Sequence, residues 1–381
     1  MVYLFFISIV LIIYTFVGYP LIVYLLSLKL KNNVQINSPN SVKHYDLTIL
    51  MVVCNEENQI ETKLINLLNL SYFSKKPKIV IVDDNSDDST VEIIKKINSE
   101  RIDLLNAPHR LGKANGINMA MEVITTPLVL LVDVRQEVAN DAAEKLCKWF
   151  EMDQNVGAMS GELHFKSDNN NDFSKGMDGY WRYEKFIRKM EANISSVPGV
   201  TGAIYMLRRS TYIPIQQDTI LDDVLIPMNV IKQGYTVGFD DEAVAWDVPS
   251  YDPIKEKRRK VRTIKGNYQL LIRFYHWVLP FGHPIWLQFL SHKILRIFVP
   301  FFALLHIVSA TYLAVYVNQL WFIYVFLMIL SILILPTSII FKSIASIRII
   351  RLWLSFLTLN WYSFLAFFSY FFGETNSSWK K

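Results

Sequence analysis

The chain has 381 residues, 52% of them hydrophobic, and its mean hydropathy is +0.24. This is too apolar for an ordinary soluble domain and predicts a membrane protein carrying a folded part outside the bilayer. The net charge of +5 implies no general affinity for nucleic acid, and two cysteines, Cys54 and Cys147, fit a reduced compartment rather than a disulfide framework or a metal site.

Residues 1–28 carry no charge, and about 20 apolar residues suffice to cross a bilayer. They lack a basic n-region and a small-residue cleavage site, so a spanning helix is expected rather than a signal peptide. Three further uncharged stretches, Ile297–Val317, Leu320–Phe341 and Leu352–Phe372, predict C-terminal spans. The expected order is a membrane helix (1–28), one α/β domain (45–253), basic interfacial helices (254–293) and membrane helices (294–373). Lys29, Lys31 and the basic run near 255–265 flank the α/β domain, so the positive-inside rule puts it in the cytosol of a multi-pass cell-membrane protein. Lys342, Arg348 and Arg351 fall on the same side if each segment spans once, and Lys380 and Lys381 on the other.

From Leu47 onward, short β-rich runs alternate with helical periodicity. LTILMVV (47–53) reads as a strand, followed by a helix through Leu64, Leu67 and Leu68. Strand 79–82 precedes a helix opening with Ser89-Thr90-Val91-Glu92, a capping-box pattern. A strand near 102–105, a helix near 112–123 and strand 128–132 follow. Gly157–Phe165 reads as a further strand, and Asp172–Glu191 as an amphipathic helix with Tyr180, Trp181, Tyr183 and Phe186. This βαβα order predicts a parallel sheet with helices on both faces, whose ligands bind outside the carboxyl ends of the strands.

Three strands end on polar clusters: Cys54-Asn55-Glu56-Glu57, Asp83-Asp84-Asn85-Ser86-Asp87-Asp88, and Asp133. Alone, each has a plainer reading: the second as a turn, the first as an acidic helix start, Asp133 as a solvated strand end. On one edge of a parallel sheet they point together to a nucleotide site. Neither G-x-G-x-x-G nor G-x-x-x-x-G-K-[ST] is present. Arg110-Leu111-Gly112-Lys113 instead offers a glycine turn, a cation and a helix start suited to phosphate, although Lys113 reads equally as a solvated helix-start residue.

The segments MVVCNEEN, VIVDDNSDDST, GKANGINMA and LLVDVRQEV, in this order and spacing, resemble the membrane-bound family 2 glycosyltransferases. That family includes the hyaluronan, chitin, cellulose and poly-N-acetylglucosamine synthases. The resemblance covers roughly residues 45–270. It implies a GT-A fold, a Rossmann-like parallel or mixed sheet with flanking helices, plus membrane helices. It also implies a nucleotide-sugar donor and a divalent metal, Mg²⁺ or Mn²⁺.

Matched position by position, it implies that Asn55 and Glu56 hold the nucleoside and that Asp83 or Asp84 hydrogen-bonds uracil. Lys113 would meet the diphosphate, and Asp133 the metal. Gly202, within GVTGAIY (199–205), would lie beside the donor and acceptor sugars. LDDVL (221–225) matches an acidic pair whose second member, Asp223, is the general base, with Asp222 able to raise its pKa. Without the resemblance, this pair reads equally as acids at a helix start.

Two departures stand out. The family's Q-x-x-R-W motif appears here as Glu256 through Lys260: Arg259 matches, Glu256 replaces Gln and Lys260 replaces Trp, the residue that stacks on the acceptor sugar. The basic run here suits anionic headgroups, or, through Arg259, the departing diphosphate. The Asp-x-Asp pattern is also changed, because Arg135 stands at its second acid. One Asp can serve Mg²⁺, which takes few protein carboxylates, or Arg135 can pair with a phosphate directly.

The expectation is an inverting glycosyltransferase that moves a sugar from a UDP-sugar onto a growing cell-surface or extracellular polysaccharide. Its rivals are single-sugar transfer to a membrane lipid acceptor and a silent nucleotide-sugar-binding subunit. A transporter is disfavoured: no span bears an acid, and the lone ionisable candidate, His306, reads as a packed residue.

Overall fold

A computed structural model describes residues 1–30, 44–73, 75–166, 172–248, 252–340 and 347–373. Lys31, Lys342, Lys380 and Lys381, together with the side chains of Tyr180 and Arg348, lie outside the described residues.

Helix α1 (Val2–Lys29) is followed by the α/β unit. Its elements are β1 (Leu47–Val53), α2 (Ile60–Leu68), β2 (Lys78–Asp83), α3 (Thr90–Ile97), β3 (Ile102–Asn106), α4 (Lys113–Val123) and β4 (Leu128–Val132). Then come β5 (Glu137–Val138), α5 (Ala142–Met152), β6 (Val156–Phe165), α6 (Asp172–Ile194), β7 (Ile204–Arg208), α7 (Asp222–Lys232) and β8 (Thr236–Asp247). The chain continues with α8 (Pro253–Arg273), α9 (Trp286–Tyr316), α10 (Trp321–Ile340) and α11 (Arg348–Phe371).

The strands form one sheet in the order β3-β2-β1-β4-β7-β6-β8-β5. Its first four strands are mutually parallel, as the alternating sequence predicts. β7 then runs antiparallel to both β4 and β6, so the sheet as a whole is mixed. β1 and β4 are buried throughout, which accounts for their uninterrupted apolar sequence: a strand covered on both faces needs no polar alternation. One face packs under α2 and α5 through Ile49, Met51, Leu64 and Leu146; the other packs under α4 and α7 through Leu50, Val52, Ile117 and Val224.

The close approach of α4 to β1 requires glycine at 116, where a Cβ would fall 2.6 Å from Val52 Cγ1. Similarly, Gly266 on α8 lets that helix press on Leu221, immediately before α7.

Among the described residues three helices are long and apolar enough to cross a membrane: Val2–Lys29, Trp286–Tyr316 and Ile349–Phe371. The middle C-terminal span expected from sequence is the helix α10, whose Trp321–Leu333 part counts only as a shorter apolar helix. α1 packs along α9, with Phe5 stacked on His306 at 4.4 Å and Tyr14 Oη 2.8 Å from Ser291 Oγ. His306 also contacts Ser8 Oγ at 3.0 Å and Tyr324 Oη at 2.7 Å, consistent with a packed, hydrogen-bonded residue. Cys54 and Cys147 are both buried free thiols.

Candidate active site

Because β1, β2 and β4 are parallel, their C-terminal ends share one edge, and the polar clusters meet there. The ends of β1 and β2 are clasped to each other. Asn55 and Asn85 both adopt left-handed backbone (φ 56° each), which asparagine tolerates better than most side chains. That turn lets Asn55 Nδ2 donate to Asp87 Oδ1 at 2.5 Å while Asn55 Oδ1 accepts from the Asp87 amide at 3.0 Å. The Glu56 amide donates to Thr90 Oγ1 at 2.8 Å. Ser89 does not cap α3 as its sequence suggests: Asp88 takes the Thr90 amide at 3.0 Å and Glu57 takes the Ser89 amide at 3.2 Å.

Asp83 and Asp84 are buried, at 3% and 1% exposure. Asp83 accepts from the Ser86 amide (3.0 Å) and hydroxyl (2.5 Å), closing its own turn. Asp84 reaches across to the next loop, accepting from the amides of Leu111 (2.7 Å) and Gly112 (2.9 Å). The positive φ of Gly112 (89°) turns the chain there and starts α4 at Lys113. Asp84 therefore sets the position of Lys113.

The Lys113 ammonium lies 2.9 Å from Asp133 Oδ1 and 3.1 Å from Asp222 Oδ2, joining the end of β4 to the start of α7. Burial alone would favour a neutral amine, but the Asp133 and Asp222 carboxylates outweigh it and hold Lys113 above the usual lysine range. The backbone oxygen of Asp223 accepts from the Val200 amide at 2.8 Å, which ties the glycine-bearing segment to α7. At Gly202 a Cβ would stand 3.5 Å from Asp133 Oδ2 and 3.5 Å from Asp223 Oδ2, so this glycine lies beside both acids.

Burial and the neighbouring Asp222 push the Asp223 carboxyl up to about 6, against the pull of Lys113 and Lys293. Its buried Oδ1 makes no hydrogen bond among the described residues. A carboxylate with this pKa and a free oxygen can take a proton near neutral pH. On the α8 side, Gln269 accepts from the Ile220 amide at 2.9 Å and donates to the Asp218 carbonyl at 2.9 Å, fixing the segment that leads into the acidic pair.

The structure groups Lys113, Asp133, Gly202, Asp222 and Asp223, with the Asn55–Glu56 and Asp83–Asp84 turns along the same edge. It does not add Arg135 or Arg259 to that group. Arg135 forms an ion pair with buried Asp247 at the end of β8, and Gln136 Nε2 donates to the same carboxylate at 3.0 Å. Beneath this loop, Lys63 donates to the Gln136 carbonyl at 2.5 Å. Burial pulls Lys63 down to about 7, even with Asp133 and Glu137 nearby. Arg259 pairs with Glu256 on its own helix at 3.0 Å.

Asp247, Gln136 and Lys63 are residues that sequence reasoning missed. The signal for them was an arginine where an acid was expected, read from sequence as a phosphate partner and found paired with Asp247.

As a metal site, the donor set is small. Among the described residues no group of three or more His, Cys, Asp or Glu side chains could hold an ion. Asp133 presents Oδ2 toward the gap at Gly202 while Lys113 takes Oδ1. This fits a Mg²⁺- or Mn²⁺-type cation that arrives with a diphosphate and keeps most of its ligands from phosphate and water.

Residues 48–213 match the family model described as Glycosyl transferase family 2. Over 232 residues the chain is 24% identical to a poly-beta-1,6-N-acetyl-D-glucosamine synthase of Staphylococcus aureus strain MSSA476, covering 60% of this chain and 56% of the relative. The namesake enzyme of Staphylococcus epidermidis is 20% identical over 231 residues, with the same coverage of 60% and 56%. The chain thus spans 56% of the length of these curated relatives. Among solved structures, a mannosyltransferase from Pyrobaculum calidifontis in complex with GDP-Man and Mn²⁺ matches with a TM-score of 0.70 at 19% identity, over 97% of this chain and 99% of that one. At that identity the likeness concerns the fold, which is GT-A-like.

Proposed function

We propose that this chain, which carries a family 2 glycosyltransferase domain on membrane helices, transfers a sugar with inversion from a nucleotide-sugar donor to a saccharide acceptor held at the membrane. The donor is a UDP-sugar, and the transfer takes place at the cytosolic face. The observation that carries this reading is the convergence at Gly202 of the Asp223 carboxylate and the Lys113–Asp133 pair. A base on one side of a sugar and a diphosphate cradle on the other is the arrangement a single displacement needs.

In that displacement the acceptor hydroxyl oxygen bonds to the anomeric carbon as the bond from that carbon to the diphosphate breaks. The hydroxyl proton passes to Asp223, and the departing electron pair goes to the diphosphate, whose charge Lys113 meets. Asp222 holds Lys113 in place and raises the basicity of Asp223. Asn55 and Glu56 line the nucleoside end, where the turns after β1 and β2 are clasped together and Asp83 closes its own turn. Arg259, on α8, would have to leave its pair with Glu256 to meet the outgoing diphosphate. A divalent cation held by Asp133 would supply further charge neutralisation there.

The staphylococcal relatives favour extension of a polysaccharide. Single transfer to a lipid-held acceptor is favoured by Lys260, which stands where the family's stacking Trp would be and places its ammonium 5.2 Å over the Trp181 ring.

The test is nucleotide release by the purified full chain in nanodiscs with membrane extract as acceptor source. A panel of UDP-, GDP- and TDP-sugars is run beside Asp223→Asn. Release with one donor, lost in the variant, is expected. Release unchanged by Asp223→Asn would remove the assigned base, and no release from any donor would favour a silent nucleotide-sugar-binding subunit.

A further inference from the structure

A cavity of about 240 Å³ opens where α1, α9 and α11 meet the α/β unit, behind the glycine-bearing segment of the proposed site. Four basic side chains line it, Arg188, Lys260, Lys293 and Arg296, against one carboxylate, Glu184. That carboxylate is already engaged by Arg296 and, at 2.9 Å, by His292 Nε2. Asp223 acts on Lys293 and Glu162 on Arg188 only from beyond ion-pair distance, and the other nearby acids are committed. Glu191 takes Tyr19 and His292 Nδ1, the latter at 2.9 Å, and Glu256 lies 3.0 Å from Arg259 and 3.9 Å from Lys260.

Two cations remain without a carboxylate at ion-pair distance among the described residues. Arg188 donates to Thr201 Oγ1 at 2.7 Å, and Lys293 makes no hydrogen bond among them. They are close enough to act on each other electrostatically. Two like charges held together in a shielded site are costly unless an anion joins them. Lys293 also belongs to a helix long and apolar enough to span a membrane, where ionisable residues usually mark function.

Both cations abut the catalytic segment. At Gly199 a Cβ would lie 3.5 Å from Lys293 Nζ and 3.5 Å from the Asp223 carbonyl oxygen. Arg188 grips Thr201 on the same segment.

We propose that Arg188 and Lys293 bind a phosphate group on a lipid-linked acceptor, which anchors the acceptor while its free hydroxyl reaches Asp223. A guanidinium offers two parallel donors to phosphate oxygens and an ammonium adds a point charge, so the pair suits a phosphoryl group better than a neutral sugar. The mouth between membrane helices suits a lipid tail. Lys260 in place of a stacking Trp fits the same preference for an anion over a sugar face. The phosphate takes no part in bond making; it fixes the acceptor's distance from the base. This inference rests on the transferase reading above and names its acceptor class.

The test uses the full chain, delipidated in detergent and moved into phosphatidylcholine nanodiscs. These are doped with a long-chain polyprenyl phosphate, the corresponding polyprenol, or phosphatidylglycerol, and retained lipid is counted by native mass spectrometry. Polyprenyl phosphate is expected to be retained at least about tenfold over both other lipids, and millimolar inorganic phosphate should not displace it. Arg188→Gln and Lys293→Gln should each lower retention about tenfold, while Arg188→Lys and Lys293→Arg keep most of it.

Equal retention of polyprenol, or full retention in both Gln variants, would overturn the proposal. Equal retention of phosphatidylglycerol would show an ordinary headgroup site, and displacement by inorganic phosphate would show a free-anion site; either overturns it. Donor nucleotide binding to the wild-type chain is measured separately by calorimetry. Donor binding without lipid-phosphate retention sinks this inference alone, whereas loss of both sinks the transferase reading too.

Discussion

Lys113 Nζ stands 2.9 Å from Asp133 Oδ1, tying the start of α4 to the end of β4 at the edge where the parallel strands finish. With Asp222 at 3.1 Å, the ammonium neutralises two carboxylates that would otherwise repel each other and any incoming diphosphate. Removing one partner of a fully buried charge pair typically costs about 3–5 kcal/mol, and less here, because Asp222 stays buried while the Asp133 side chain is 38% exposed to water. Lys113→Met is therefore expected to lower the melting temperature and to weaken nucleotide binding. Calorimetry and thermal melts on the same sample read both effects. A variant that binds nucleotide as well as the wild type would remove Lys113 from the phosphate site.

Asp223 gives the pH dependence a defined sign. As a base it acts only when ionised, so kcat/KM should fall as pH drops through about 6. Asp223→Asn should be slower by roughly a hundred- to ten-thousand-fold, with that limb of the profile gone.

Stability moves in the opposite direction. The folded pKa of Asp223, about 6, lies above the unfolded value of 3.8. The protonated acid is favoured by the fold, and that stability is lost as pH rises from about 4 through 6. The loss is on the order of 3 kcal/mol at neutral pH. Asp223→Asn should accordingly melt higher than the wild type at pH 8 and no higher at pH 3.5. A wild-type advantage at pH 8 would contradict the assigned shift.

Arg135 is expected to act through stability rather than through metal. Its guanidinium partners Asp247, which is 1% exposed and also held by Gln136. Arg135→Asp restores the Asp-x-Asp spacing but places two carboxylates together around a buried site. A loss of about 3–5 kcal/mol is expected, with no tightening of Mn²⁺ dependence. Titrating nucleotide release with Mn²⁺ and with chelator in both proteins checks it. Metal affinity that rises in the variant would show that the second acid position faces the metal.

Asp84 separates two accounts of the nucleoside end. Its carboxylate is occupied by the Leu111 and Gly112 amides. Asp84→Asn keeps one acceptor oxygen and loses the other, so it should weaken UDP and GDP alike by loosening the approach to Lys113. A selective loss of UDP binding would instead mark Asp84 as the reader of uracil.

Much of this edge could be read from the sequence. Runs such as LTILMVV and LVLLV fit buried parallel strands, and polar residues terminate them, Asn55-Glu56-Glu57 after the first and Asp133 after the second. Parallel order then forces the clusters together. Interactions that depend on distant segments could not be read. Asp247 lies 112 residues beyond Arg135, on a strand whose acidic stretch hides its alternation. Ser89 looks like a cap in isolation, yet its side chain makes no capping hydrogen bond, while Asp88 takes the Thr90 amide and Glu57 the Ser89 amide. The cations of α6 and α9 meet only through tertiary packing, so nothing in their local sequence announces the cavity.

The most direct test of the central claim is the anomeric configuration of the product. The full chain in nanodiscs is supplied with the α-linked nucleotide sugar that supports release, and the new glycosidic bond is read by NMR. A single displacement assisted by Asp223 predicts a β-linked product, absent with Asp223→Asn. An α-linked product would mean two displacements or front-side attack, and would contradict the assignment of Asp223 as the base of a single displacement.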